Sequence, residues 1–428
     1  MSEAQVPQHD GERAAGWTQT RGERWLSRAL ARVTGSVLGP YQTAVVRIGF
    51  GTAWLFFLLR EWPHRRRLYG PDSTWSFELG ERLLDSNHAF SVLMWSSSQF
   101  WFELVYHLAI LASVALLLGW RTRMSSVFFM VGVLSLQNRS IFMGDGGDNV
   151  IHLMAIYLVF TRCARVWSLD ARRARRCADG GPSFGATGPV LWAVCGAVLL
   201  GGTFTGGFSL GWGLLFWGLW LAQGAWWLLT RTAATTGNTE GRDLMDVVAN
   251  VLHNGALLVI MVEVCLIYAT AGWYKIQGSR WQDGTAVYYP MHLDYFSPWP
   301  ELSEVLAGNG LMIMVVTYGT VLMQVAFPFT LLNRRAKNVL LALMIVEHLG
   351  IAVLLGLPFF SLAMIAADIV FLPTALLVWT GARTDALRRR LTRRRPDAEA
   401  PRHLPRPRSA DAPAPDPAQA ADADRARR

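Results

Sequence analysis

The chain has 428 residues, 52% of them hydrophobic and 17% charged, with 19 Trp and 21 Phe. Apolar runs of ~20 residues recur, each able to cross a ~30 Å hydrocarbon core, which excludes a soluble globular enzyme; ~10-residue alternating strands, the mark of a β-barrel, do not occur. The net charge of +9 is concentrated beside apolar runs, at 161–176 (six Arg), 334–337 and 383–395, and reads as a topology signal rather than a nucleic-acid surface.

Residues 1–40 form a polar, Arg-bearing arm without the apolar core and cleavage site of a removable signal. Within it, "ERWLSRALARV" (23–33) sets apolar residues at near-helical spacing opposite arginines, the pattern of a membrane-surface helix, although a disordered tail is the alternative. Spans are predicted at about 41–59, 102–119, 123–139, 148–165, 189–206, 210–229, 246–273, 311–332, 338–355 and 357–380. The Gly-rich pair 189–229 reads either as a hairpin or as one span with a re-entrant piece. The fold class expected is therefore all-α: a polytopic transmembrane helix bundle of about 8–10 spans over 41–380. The basic, then Pro/Ala-rich, tail 381–428 cannot build a core and is expected to be disordered. The four cysteines form no C-x-x-C motif and no disulfide framework, and no other spacing suggests a metal.

With the amino end inside, most short basic loops fall in the cytoplasm, and "REWPHRRR" (60–67) is the one breach. This orientation places "QNRSIFMGDGGDNVIH" (137–152), "AGWYKIQGSRWQDG" (271–284) and the polar loop 274–310 together at the outer face. Arg47, Glu103, His107, His152, His253, Glu263, Lys275, Glu347, His348 and Asp368 are ionisable groups in apolar company. Charges there are expensive and face a bundle interior or cavity; for most, an ion pair or hydrogen bond suffices.

Lys275, at a span's end between Trp273 and Trp281, is either an anchor in an aromatic belt or a chemical group. An ammonium withdrawn from water is poorly solvated, and a free amine takes protons or attacks carbonyls. His152 opens a span after "GDGGDN", whose glycines allow a turn and whose Asp145, Asp148 and Asn149 offer a helix cap. His348, after Glu347, sits mid-span.

The motifs in order are "VRIGFG" with Arg47, "LLGWRTRMSSVFF" (117–129), "DNVIHLM", "AGWYKIQGSRWQDG", "YFSPWPELSE" (295–304) and "VEHLGIAVLLGLPFFSLAM" (346–364). Together, over about residues 41–375, they resemble the HTTM family, which includes the vitamin K-dependent γ-glutamyl carboxylases. The resemblance implies a multi-pass cell-membrane protein that binds or oxidises a lipid-soluble quinol, a vitamin K-like reduced quinone, in an extracytoplasmic-side pocket. It implies Lys275 as the base that starts quinol oxidation and His152 in the accompanying chemistry. Trp273, Trp281 and His348 are expected beside the quinol. Departures tell against glutamate carboxylation: Tyr274 and Gln277 replace a basic and an acidic residue of the carboxylase pattern, and the tail leaves no room for the large domain that binds propeptide. The alternative is a non-catalytic membrane component for maturation or export of a secreted peptide; a transporter using the intramembrane acids ranks behind both.

Overall fold

A computed structural model describes residues 21–179 and 186–393. The extreme amino-terminal arm and the Pro/Ala-rich tail lie outside the described residues. Those described are helical, with no strand among them.

The chain begins with α1 (Arg21–Gly35), the amphipathic segment anticipated from sequence. It leaves Trp25, Leu26 and Leu30 exposed and is tied to the bundle through its last turn. Then come α2 (Pro40–Glu61), the short α3 (Arg65–Tyr69), α4 (Phe77–Asn87), α5 (Gln99–Leu118), α6 (Thr122–Arg139) and α7 (Gly146–Val159). After α8 (Leu169–Ala178) come α9 (Thr187–Phe204), α10 (Leu210–Thr236) and the 38-residue α11 (Glu240–Gln277). The chain continues with α12 (Ser279–Gln282), α13 (Pro300–Ala307), α14 (Gly310–Thr330), α15 (Arg334–Leu354), α16 (Pro358–Asp368) and α17 (Thr374–Arg393).

Six of these, α2, α5, α9, α11, α14 and α15, are long and apolar enough to cross a membrane. The protein is an all-α transmembrane helix bundle. Each span predicted from sequence coincides with a helix, but not every helix meets that length and hydropathy on its own. α7 has 14 residues. α6 carries Arg123, Arg139 and several serines, and α10 dilutes its leucines with Gly, Trp and Thr. The predicted span 357–380 is broken at Leu372–Pro373, because proline supplies no backbone N–H and disfavours helix in the residue before it. The uncertain pair 189–229 is a hairpin of two helices. Trp192 and Trp220 stack at 4.0 Å, and each indole N–H donates to the other residue's backbone carbonyl (3.0 and 2.9 Å).

The core gathers around α2, which packs on α5, α7 and α16. Trp54, Phe50, Phe57 and Leu58 are buried there with Tyr106, Phe129 and Met130. Part of the "VRIGFG" stretch has a packing explanation: a Cβ on Gly49 would stand 2.5 Å from that of Ala366, so only glycine lets α2 and α16 approach this closely. At the other end, Glu103 accepts from Arg65 (2.9 Å) and Arg66 (2.6 Å), so two of the arginines that breach the charge rule are committed to one carboxylate. The chain divides into two compact units after Leu377. In the second, Arg383 lies over the Trp379 ring at 5.1 Å.

Candidate functional site

α11 and α14 lie side by side, and their register is set by a close approach. A Cβ on Gly272 would meet Val325 Cγ2 at 2.6 Å and the Val325 backbone nitrogen at 3.3 Å. One turn further along α11, the Lys275 amine donates to Gln324 Oε1 (2.8 Å). The Gln324 amide then donates to Glu347 Oε1 on α15 (3.0 Å). The Lys275 nitrogen also stands 5.2 Å from the centre of the Trp281 ring, a cation–π distance.

This register revises the expected depth of Lys275. At 1.5 Å per residue, Gln324 lies roughly 21 Å along α14 from Gly310 and roughly 9 Å from Thr330. Glu347 lies roughly 20 Å from Arg334 and roughly 10 Å from Leu354. The lysine is thus level with the interior of α14 and α15 and not with either helix end. The following segment, expected as a loop, runs along the first half of α14. Tyr318 donates to the Gln282 carbonyl (2.8 Å), the Val287 N–H reaches Thr317 Oγ1 (3.5 Å), and Met291, Ala307 and Ile313 form a small core of their own.

Two turns before Lys275, on the same face of α11, Tyr268 joins a second set of groups. Its hydroxyl donates to Asp368 Oδ1 on α16 (2.9 Å) and lies 2.9 Å from His348 Nε2 on α15. With the phenol proton on Asp368, His348 donates its Nε2–H to the phenol oxygen, and its Nδ1 presents a lone pair. Tyr268, His348 and Asp368 are at most 2% exposed. Glu347 Oε2, His348 Nδ1 and Asp368 Oδ2 are buried without a protein hydrogen-bond partner, and so is Ser361 Oγ, two turns from Asp368 on α16. Because Glu347 and His348 are consecutive, the two sets form one polar band through α11, α14, α15 and α16. Buried polar groups are nearly always paired, so unpaired ones in such a band mark it as more than packing.

The other residues expected at the site are placed as follows. His152 is half-buried and donates Nδ1–H to Gln137 Oε1 (2.8 Å), and the Gln137 amide donates to the Asp148 carbonyl (2.9 Å). It therefore belongs to a separate pair on α6 and α7. Phe360 on α16 touches both elements: its ring lies 5.8 Å from that of His348, and its backbone packs on Gly147 at the start of α7. The helix cap read from "GDGGDN" is present, with Asp145 accepting from Gly147 N (2.6 Å) and Asp148 returning a bond to Asp145 N (2.8 Å). Trp281 is beside Lys275, whereas Trp273, 61% exposed, is on the opposite side of α11. Among the described residues no three His, Cys, Asp or Glu side chains are grouped as metal ligands.

Tyr268 and Gln324 escaped the sequence reading, whereas Glu347 and Asp368 stood among the ionisable groups in apolar company. Two signals were available. Tyr268 falls seven residues before Lys275, and Gln324 is the one amide in the apolar run of α14. Arg47 and His253 are structural: Arg47 holds backbone carbonyls, and His253 bridges Arg162 N (2.8 Å) and the Leu38 carbonyl (2.8 Å). Compared with protein-family models, curated proteins and solved structures, the chain matches none.

Proposed function

We propose that this is a multi-pass cell-membrane protein related to the HTTM family, and that it binds and oxidises a lipid-soluble quinol with Lys275 as the proton acceptor. The row Lys275–Gln324–Glu347 carries this reading. As a neutral amine, Lys275 keeps an N–H on Gln324 and still has a lone pair for an acidic hydroxyl. Gln324 couples it to Glu347, a carboxylate that stabilises the ammonium formed when a phenolic proton is taken. A hydrophobic quinol reaches such a depth through the bilayer, and Lys275, only half-buried beside the outward-facing Tyr274 and Ile276, is open on that side. The reaction is balanced by dioxygen: hydroquinone and O₂ give quinone epoxide and water, one oxygen atom in each product.

The test is single-turnover incubation of the full chain in nanodiscs with vitamin K hydroquinone under oxygen, with epoxide read by mass spectrometry. Lys275→Ala is expected to abolish epoxide while the protein still inserts and keeps its thermal unfolding profile. Unchanged turnover in that variant rejects the assignment.

A second reading, a component that handles a secreted peptide, has one observation in its favour. A cleft of about 860 Å³ opens at the outer end, floored by Trp95, Trp101 and Phe208 and rimmed by Glu81 and Asp85. Photo-crosslinking from Trp95 to a peptide, with no epoxide formed, favours that reading over the first.

A further inference from the structure

The opposite end of the bundle carries an organised cluster that the proposed chemistry does not use. Arg47, fully buried on α2, spreads its guanidinium over four backbone carbonyls, those of Leu116, Leu117 (2.7 Å), Cys163 (3.3 Å) and Trp167 (2.8 Å). It ties the last turn of α5 to the loop after α7. Asp170 completes the tie by accepting from Arg121 N (3.0 Å), Thr122 N (2.7 Å) and the Thr122 hydroxyl (2.8 Å), while its own N–H donates to the Gly119 carbonyl (3.0 Å). Two non-glycine residues at this junction, Arg121 (φ 47°) and Trp167 (φ 50°), are held in the left-handed region. Such backbone strain persists where the surroundings over-determine it, and it concentrates at ligand clamps.

The junction opens as a cleft of about 300 Å³ lined by Trp120, Leu169, Asp170, Arg172, Arg173 and Arg176. The only carboxylate there is spent on the start of α6, and none of the three arginines forms an ion pair among the described residues. Burial, followed by the like charge of Arg173, holds the Arg121 guanidinium below the ordinary arginine range. Its Nε is buried without a partner. Trp120 and Leu169 add exposed apolar surface at the cleft edge. Positive charge is therefore gathered on a rigid frame, next to apolar surface at the end of two spans.

We propose that this cleft binds a phosphate group, presented by an anionic lipid headgroup or by a soluble phosphate. The planar guanidinium fork matches phosphate oxygens two at a time, and basic pockets between spans are suited to anionic headgroups. Trp120 and Leu169 give an acyl chain or glycerol backbone an apolar edge to lie against. The inference is independent of the role of Lys275.

The test uses the full chain in nanodiscs of phosphatidylcholine doped with phosphatidylglycerol, with retained lipid counted by native mass spectrometry. Wild-type protein is expected to retain phosphatidylglycerol selectively. Arg172→Ala/Arg173→Ala/Arg176→Ala is expected to bind it roughly 100-fold more weakly. The double variant Arg172→Ala/Arg176→Ala, which touches only exposed side chains, stands in if the triple does not fold. A charge-matched control, Arg231→Ala/Arg242→Ala/Arg335→Ala, is expected to retain the lipid. A parallel arm titrates inorganic phosphate against thermal unfolding. Stabilisation of wild type and not of the cleft variant, without lipid selectivity, assigns the site to soluble phosphate. Equal loss in cleft and control variants, or no cleft-dependent effect of either probe, overturns the proposal.

Discussion

Replacing Tyr268 with Phe removes one oxygen from the centre of the polar band and leaves the ring stacked edge-on against Phe327 at 5.7 Å. That oxygen is the hydrogen-bond partner of both His348 Nε2 and Asp368 Oδ1, and these residues are 2% and 0% exposed. Hydrogen bonds between membrane helices contribute on average only about 0.6 kcal/mol, so counting the bonds alone gives a loss near 1 kcal/mol. The larger effect is that two buried partners lose their only protein contact at those atoms, at about 1–3 kcal/mol per stranded group. Lipid cannot solvate them, so the second effect wins, and Tyr268→Phe is expected to cost ~2–3 kcal/mol. The assay is reversible unfolding in mixed micelles, followed by tryptophan fluorescence. In a double-mutant cycle with His348→Leu, the cost of Tyr268→Phe should fall by ~1 kcal/mol, since one stranded group is gone. A single-mutant loss below ~0.5 kcal/mol, or a cycle with no coupling, refutes the claim that these groups depend on the phenol.

The register of α11 and α14 is testable in the same assay. Gly272→Ala forces a methyl against Val325 and is expected to cost ~1–3 kcal/mol and to weaken the lysine–glutamine bond, with Val325→Ala recovering most of the loss. Asp145→Ala removes the cap from α7, where two N–H groups rely on its carboxylate; a loss of about 1 kcal/mol is expected, with hydrogen exchange accelerating at Gly147 and Asp148 and not deep in α7.

Much of the architecture was legible because apolar length is a one-dimensional property. Each predicted span has its helix, and even the Gly-rich 189–229 pair resolves through tryptophans visible in the sequence. What could not be read is what depends on contact between distant segments. The end of α11 at Gln277 looks, in sequence, like the outer membrane face, because Trp273, Tyr274 and Trp281 form an apparent aromatic belt. Nothing in that stretch states that α14 continues some 21 Å past the level of Lys275, or that residues 278–309 fold back along it. The partner of Lys275 was equally hidden, since Gln324 is separated from it by 49 positions. The break at Pro373 and the cap at Asp145, by contrast, follow from local backbone chemistry, and the cap was read correctly.

Lys275 and His152 have different hydrogen-bond partners, Gln324 and Gln137. α7 and α11 pack on one another, and Phe360 of α16 lies against the start of α7 on one side and His348 on the other. The amine has its own relay at hand. Gln324 links it to Glu347, Glu347 adjoins His348, and His348 shares the Tyr268 hydroxyl with Asp368. A proton accepted by Lys275 therefore has three further titratable side chains within the same band, each with a buried atom uncommitted to protein. In a bilayer, where an isolated charge is poorly solvated, spreading it over such a band lowers its cost more than any single ion pair would. In the proposed reaction, proton acceptance thus falls to the band of α11, α14, α15 and α16.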